Sequence, residues 1–219
     1  MYKEGAQSLS FEPIVAAGKN TSIIHYTTPS KEKKVEDGDL LLVDYGGYYE
    51  GGLATDTTRT FIKGTANQQQ KVAYTTVLKA FLNAYYKKYT KKSTYFDIDK
   101  IARDTIEKSI SPDFAFAHST GHGVGICVHE NPPRLSSNES SKTKIIENTV
   151  FSIEPGVYKA DWGGIRLENT VYAAYEDDCI IIHSFSHLPF EIKLVDMSML
   201  TDIEKYYYMK WQADSLWME

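Results

Sequence analysis

The sequence predicts an α+β fold, and three observations carry it. An apolar run broken by paired glycines, LLLVDYGGYYEGGLATDTTRT over residues 40–60, reads as a strand hairpin. Between residues 66 and 106 the apolar spacing changes to the helical period. From Asn148 to His183 strand-like runs return, separated by glycines and acids.

The first hairpin runs from Asp39 to Val43, turns through Gly46, Gly47, Gly51 and Gly52, and returns through Asp56 to Ile62. Two helices follow: one with Ala73, Val77, Ala80, Phe81, Ala84 and Tyr85 on its buried side, one with Ile98, Ile101, Ala102, Thr105 and Ile106 before Pro112. The segments TVFSIEPGVY, GGIRLENTVYAAY and CIIIHSF supply further strands, and Thr201 with Glu204 three residues on opens a terminal helix by a capping box. No low-complexity tract, linker or short repeat divides residues 1–219, so a single domain is expected.

Composition narrows the function. The chain has 219 residues with 24 basic and 29 acidic side chains, and the net charge of -5 is dispersed, which argues against nucleic acid or an anionic membrane as partner. Lys31 to Lys34 and Lys87 to Lys92 are short and interrupted, as solvated surface is. No apolar run is long enough to span a bilayer. Cys127 and Cys179 lack metal-ligand spacing; they read as two buried small residues in a reducing cytoplasm, with a disulfide as the alternative.

The acids at the ends of buried runs need explaining, because a carboxylate leaves water only with a partner. A hairpin turning about Glu50 sets Asp44 opposite Asp56, and a turn about Asp161 sets Glu154 opposite Glu168. On spacing alone this is equally a cation site or the decoration of exposed strand faces. His122, flanked by Gly121 and Gly123 in HSTGHGVGICVHE, favours the site, the glycines leaving room for the imidazole to approach. Four carboxylates and one imidazole form a hard oxygen-rich set suited to two divalent ions, manganese first, with cobalt or zinc as alternatives.

DYGGYYEGGLATDTTRT, HSTGHGVGICVHENP, SIEPGVY and GGIRLEN stand in the order and style of the pita-bread metallopeptidases, which include methionine aminopeptidase, aminopeptidase P and prolidase. SLSFEPIVAAGKNTSIIHY resembles the substrate-side segment of that family, and LPFEIKLVDMSMLT resembles aminopeptidase P, so the likeness covers nearly the whole chain. The resemblance implies a pita-bread fold, here lacking its first helices because only seven residues precede Ser8. It implies Asp44, Asp56, His122, Glu154 and Glu168 as metal ligands, with Asp56 and Glu168 bridging. His118 and the glycine of EPGVY resemble the proline-directed branch; His25, His118 and His129 match its substrate-pocket histidines; Arg166 and Tyr158 match residues that hold the ligands in place.

The implied activity is metal-dependent cleavage of the peptide bond before a penultimate proline, releasing the N-terminal residue from longer peptides. Two ions about 3.5–4 Å apart acidify a water. Glu154 takes the water proton and passes it to the proline nitrogen, His129 donates to the oxyanion, and Asp44 also holds the free amino group. The alternatives are an Xaa-Pro dipeptidase and, in another class, a metal-free pita-bread scaffold that binds proteins. The interval from Asp44 to Asp56 is one residue longer than in the family, which places an insertion at Glu50–Gly52. The shortened start implies uncovered apolar sheet surface, to be met by a second copy or a missing N-terminal segment. His183 and His187 match no motif and are expected to pack or face solvent.

Overall fold

The computed structural model describes residues 5–215. Strands β1 (Ser8–Leu9), β2 (Ile14–Ala17), β3 (Leu40–Tyr45), β4 (Gly47–Tyr48) and β5 (Thr57–Ile62) open the chain. β2, β3 and β5 form a three-stranded antiparallel sheet with β3 in the middle. Alternation along β3 buries Leu40, Leu42 and Asp44 on one face. The opposite face leaves Val15 and Phe61 47% and 37% exposed.

The hairpin forms, but its register corrects the expectation. Asp44 faces Thr58, and the ladder closes at Tyr45 opposite Thr57, leaving Asp56 just beyond its end. The reason is β4, which leaves the ladder to pair with β1, Ser8 lying opposite Tyr48. A bridge from Tyr48 to Ala54 then confines the extra residues to the turn at Glu50–Gly52, where Gly51 and Gly52 take φ of +87° and +78°.

Helix α1 (Gln68–Tyr86) starts with an Asn67–Gln70 capping box, both bonds 2.9 Å. All six of its expected apolar positions are buried, Ala73, Val77, Ala80, Phe81 and Ala84 completely. After β6 (Tyr89–Thr90), helix α2 (Tyr95–Glu107) buries Ile98, Ala102 and Ile106 and lies against α1. The terminal helix α3 (Asp202–Ser215) forms the expected box: Glu204 Oε2 accepts the Thr201 N–H at 2.8 Å, and Thr201 Oγ1 accepts the Glu204 N–H at 3.3 Å. Its Trp211 closes edge-on against Phe81 and Tyr85 of α1.

β7 (Gly121–Gly123), β8 (Glu130–Leu135), β9 (Val150–Ile153), β12 (Asn169–Glu176) and β13 (Cys179–Ser184) join β6 in a six-stranded sheet of order β6-β13-β12-β9-β7-β8. β10 (Gly156–Lys159) and β11 (Gly163–Arg166) form a separate hairpin centred on Asp161, as expected, and its register continued outward sets Glu154 across from Glu168. The Glu168 N–H donates to the Thr58 carbonyl (3.0 Å) and Thr60 Oγ1 donates to the Arg166 carbonyl (3.0 Å), so β5 is stitched to residues 166–168 and the sheets curl around a common centre.

Both cysteines are free. Cys127 is exposed rather than buried, because it sits in the tight loop before β8 with its N–H on Glu130 Oε1. Among the described residues no helix is long and apolar enough to cross a membrane.

Candidate metal centre

Five side chains from separate parts of the chain converge. Asp44 comes from β3, Asp56 from the entry to β5, His122 from β7, Glu154 from the end of β9 and Glu168 from the residues after β11. Three groups have ligand atoms all within 4.8 Å of one another: Asp44, Asp56 and Glu168; His122, Glu154 and Glu168; and Asp56, His122 and His129. Asp56, His122 and Glu168 each belong to two of them. They line a cavity of about 430 Å³ that His25 and His118 also border.

Alone, this set is electrostatically unstable. Burial first, and then repulsion from Asp44 and Glu154, hold Asp56 well above the usual carboxylate range. Burial and then the charges of Asp56, Glu154 and Asp44 do the same to Glu168. Burial also raises Glu154, against the pull of His122 and Arg166. The guanidinium of Arg166 meets this group at one point, Nη2 donating to Asp44 Oδ2 at 2.6 Å.

Three oxygens, Asp44 Oδ1, Asp56 Oδ1 and Glu168 Oε1, are buried with no hydrogen-bond partner. His122 donates its Nδ1–H to the Gly123 carbonyl (2.9 Å) and turns Nε2 toward Asp56 Oδ2 and Glu154 Oε1, each 3.5 Å away. Crowded acids with unpartnered oxygens, which would otherwise have to hold protons, fit divalent cations.

A second set of contacts orients the acids. Thr58 Oγ1–H donates to Glu168 Oε2 at 2.7 Å and accepts from Arg166 Nε at 3.1 Å. Arg166 Nη1 donates to the Tyr158 hydroxyl (2.8 Å), whose own proton goes to His118 Nε2 (2.9 Å), while His118 Nδ1–H meets the Ser119 carbonyl (2.7 Å). Burial, reinforced by Arg166, drops His118 to about 3, so its ring is neutral; burial pushes Tyr158 up to about 12. A Cβ on Gly156 would lie 2.6 Å from the Tyr158 hydroxyl and 3.0 Å from His118 Nε2, so glycine is what lets these two groups meet.

Gly121 and Gly123 serve a different neighbour from the one expected. A Cβ there would strike the carbonyls of Ser152 and Glu130, so the glycines let β7 fit between β9 and β8 rather than clearing space for the imidazole. His25 and His129 are exposed, with the His129 ring 4.1 Å from that of His122. His183 pairs with Glu176 at 2.8 Å and stacks on Tyr172, and His187 lies against Trp211, packing roles as expected.

Four contributors were not singled out from the sequence. Besides Thr58, Thr170 straps Asp56, its Oγ1 accepting the Asp56 N–H (2.8 Å) and donating to the Asp56 carbonyl (2.7 Å). Arg59, 2% exposed, donates to the carbonyls of Thr58, Glu168 and Leu188 and to Asn169 Oδ1. Arg134 stands on the cavity wall with Nε on Ser119 Oγ at 2.8 Å.

A curled α+β domain whose sheet ends bring four carboxylates and a histidine to one cavity defines a carboxylate-rich metal-centre protein. Residues 1–174 match the model of metallopeptidase family M24, and the chain belongs to that family. A Mycoplasma genitalium protein provisionally named Xaa-Pro aminopeptidase is 41% identical over 178 residues, 80% of this chain and 48% of its own length. The solved prolidase of Pyrococcus furiosus superposes with a TM-score of 0.72 at 35% identity over 81% of this chain and 50% of that one. The solved X-prolyl aminopeptidase of Caenorhabditis elegans, described as a cytosolic enzyme with a di-nuclear active site, superposes with a TM-score of 0.88 at 27% identity over 97% of this chain and 35% of that one. The fold is therefore the pita-bread fold, and the chain spans half or less of the length of these relatives.

Proposed function

We propose that residues 1–219 act as the catalytic domain of an Xaa-Pro peptidase that binds two divalent ions, manganese by the hardness of its oxygen set, through Asp44, Asp56, His122, Glu154 and Glu168. One observation carries this reading: three carboxylate oxygens are buried without a hydrogen-bond partner beside a histidine whose Nε2 faces the same acids at 3.5 Å. Of the three residues shared between ligand groups, Asp56, His122 and Glu168, only the two carboxylates have a pair of oxygens to offer, which supports their bridging role.

Bound ions supply an acidified water and polarise the carbonyl. Glu154, its basicity raised by burial, takes the proton of the attacking water and delivers it to the leaving proline nitrogen. His129 donates to the developing oxyanion, and Asp44, oriented by Arg166, also receives the peptide's amino group. Neutral His118, both nitrogens committed, forms a fixed wall beside Glu154, and His25 borders the entrance.

Cleavage of longer peptides is the preferred reading because the Caenorhabditis elegans aminopeptidase superposes over 97% of the chain with a TM-score of 0.88, against 81% and 0.72 for the Pyrococcus furiosus prolidase, although a dipeptidase also reaches 89%. Arg134 favours the dipeptidase reading, since its guanidinium on the cavity wall could meet the carboxylate of a two-residue substrate.

The test compares Xaa-Pro, Xaa-Pro-Yaa and Met-Ala-Ser peptides with manganese present. Tripeptide cleavage that Glu154→Ala abolishes is the expected result. Dipeptide cleavage alone would move the assignment to a dipeptidase. Calorimetry showing no metal uptake, with no peptide cleaved, would replace it with a protein-binding scaffold.

A further inference from the structure

Helix α2 carries an ion pair, its acid buried and its base half-buried, that metal binding and peptide cleavage leave without a task. Asp99, 1% exposed, accepts from Arg103 Nε on both carboxylate oxygens at 3.0 and 2.9 Å, and its Oδ1 also accepts the Thr120 hydroxyl at 2.7 Å. The other Arg103 nitrogens reach off the helix. Nη1 donates to the Phe116 carbonyl (3.1 Å) and Nη2 to the His118 carbonyl (2.6 Å), with the guanidinium 4.3 Å from the Phe116 ring centroid.

Residues 116, 118 and 120 are thus tied to α2. Backbone bonds bracket this stretch at Ala115, paired with Tyr158, and at Thr120, whose N–H goes to the Leu135 carbonyl. His122 is held differently, within β7 between β8 and β9. The α2 clamp therefore bears on His118 and much less on His122. A buried ion pair is a weak source of stability compared with apolar side chains of the same volume. Its value lies in aim: a rigid, planar guanidinium fixes two carbonyls at once, which a flexible ammonium cannot do.

We propose that Asp99 and Arg103 are positioning residues that set the His118 imidazole, holding its Nδ1 3.8 Å from Glu154 Oε2 and its Nε2 on the Tyr158 hydroxyl, and so govern turnover without touching substrate or metal ligand. This rests on His118 being a wall of the substrate pocket. No sequence signal points to it, because an Asp and an Arg four apart on a helix are ordinarily a solvated pair.

The experiment uses the full chain and the variants Arg103→Met, Thr120→Val, His118→Phe and Arg103→Met with His118→Phe. In zinc-loaded protein, which is diamagnetic, ¹⁵N-resolved imidazole resonances of His118 are expected to shift or broaden in Arg103→Met while those of His122 stay in place. Calorimetric manganese uptake is expected to match the parent. Tripeptide kcat/KM is expected to fall about 10- to 100-fold in Arg103→Met, as for other residues that orient an active group. In the His118→Phe background the same change should add less than about twofold, because residues acting through one another are not additive.

Unmoved His118 resonances, a loss of metal uptake, or additive losses in the double variant would each overturn the proposal. Should Arg103→Met not fold, Thr120→Val removes one tie alone and is read by the same resonances, expected to move in the same direction. If the parent cleaves no peptide, the resonances still decide the clamp, and the missing turnover counts against the peptidase reading only.

Discussion

Asp56 occupies a position that a lone carboxylate would avoid, 4% exposed, one oxygen unpartnered, its neighbours Asp44, Glu154 and Glu168 all acids. Neutralising it removes repulsion that the metal-free chain otherwise relieves only by holding a proton on a buried acid. Asp56→Asn is therefore expected to raise the melting temperature of the metal-free protein, by roughly 1 kcal/mol of stability, while weakening manganese uptake. Calorimetric scans with chelator and with manganese should show opposite signs, and a variant less stable in both conditions would contradict the electrostatic account. On spacing alone the acids read equally as a site or as surface decoration; His122 between its glycines and the resemblance to the pita-bread metallopeptidases made the set legible, and the structure brings all five together. Thr58, Thr170, Arg59 and Asp99 were not. A threonine or an i,i+4 pair looks alike in water and in a core, and only the curl of the sheets, set by contacts more than 100 residues apart for Thr58 and Thr170, decides which are buried.

At the scale of elements, helices were read best because their period and caps are local. The Thr201–Glu204 box formed as expected, and with it α3, whose Trp211 seals α1. Thr201→Ala leaves the Glu204 N–H without its acceptor and Glu204 Oε2 without the hydroxyl at 3.0 Å. A loss of about 1 kcal/mol is expected, seen as a lower urea midpoint at unchanged slope, with amides at the start of α3 exchanging first. The hairpin registers divide instructively. The one centred on Asp161 was found correctly because β10 and β11 pair with each other along their whole length, and β10's one outside bridge, Tyr158 to Ala115, does not shift that register. The one assumed about Glu50 shifted, because a separate strand, β1, competes for β4, and no rule of alternation within one hairpin registers a rival pairing.

Taken as one molecule, the chain is unusually rich in phenols: sixteen tyrosines, uninformative as a set in sequence, of which several sit in the core around α1. Tyr85 accepts the Ser184 N–H and Tyr89 donates to the Ala84 carbonyl, joining helix to sheet and loop. Burial pushes Tyr85 and Tyr158 up to about 12, and raises Tyr74, Tyr86 and Tyr89 further. An unfolded tyrosine ionises near pH 10. Between that pH and the higher folded values the unfolded chain has lost protons that the folded chain keeps, so stability is intact below about pH 10 and falls steadily above it. A shift of two units in one group amounts to a few kcal/mol, and several such groups together match the roughly 5–15 kcal/mol that holds a domain folded. The protein is therefore expected to unfold in one step between about pH 10 and 12, with tyrosinate absorbance from the core appearing together with the loss of helical circular dichroism. A full complement of tyrosinate at pH 11 in a chain still folded would mean that these hydroxyls reach water, and that the core around α1 is looser than its packing indicates.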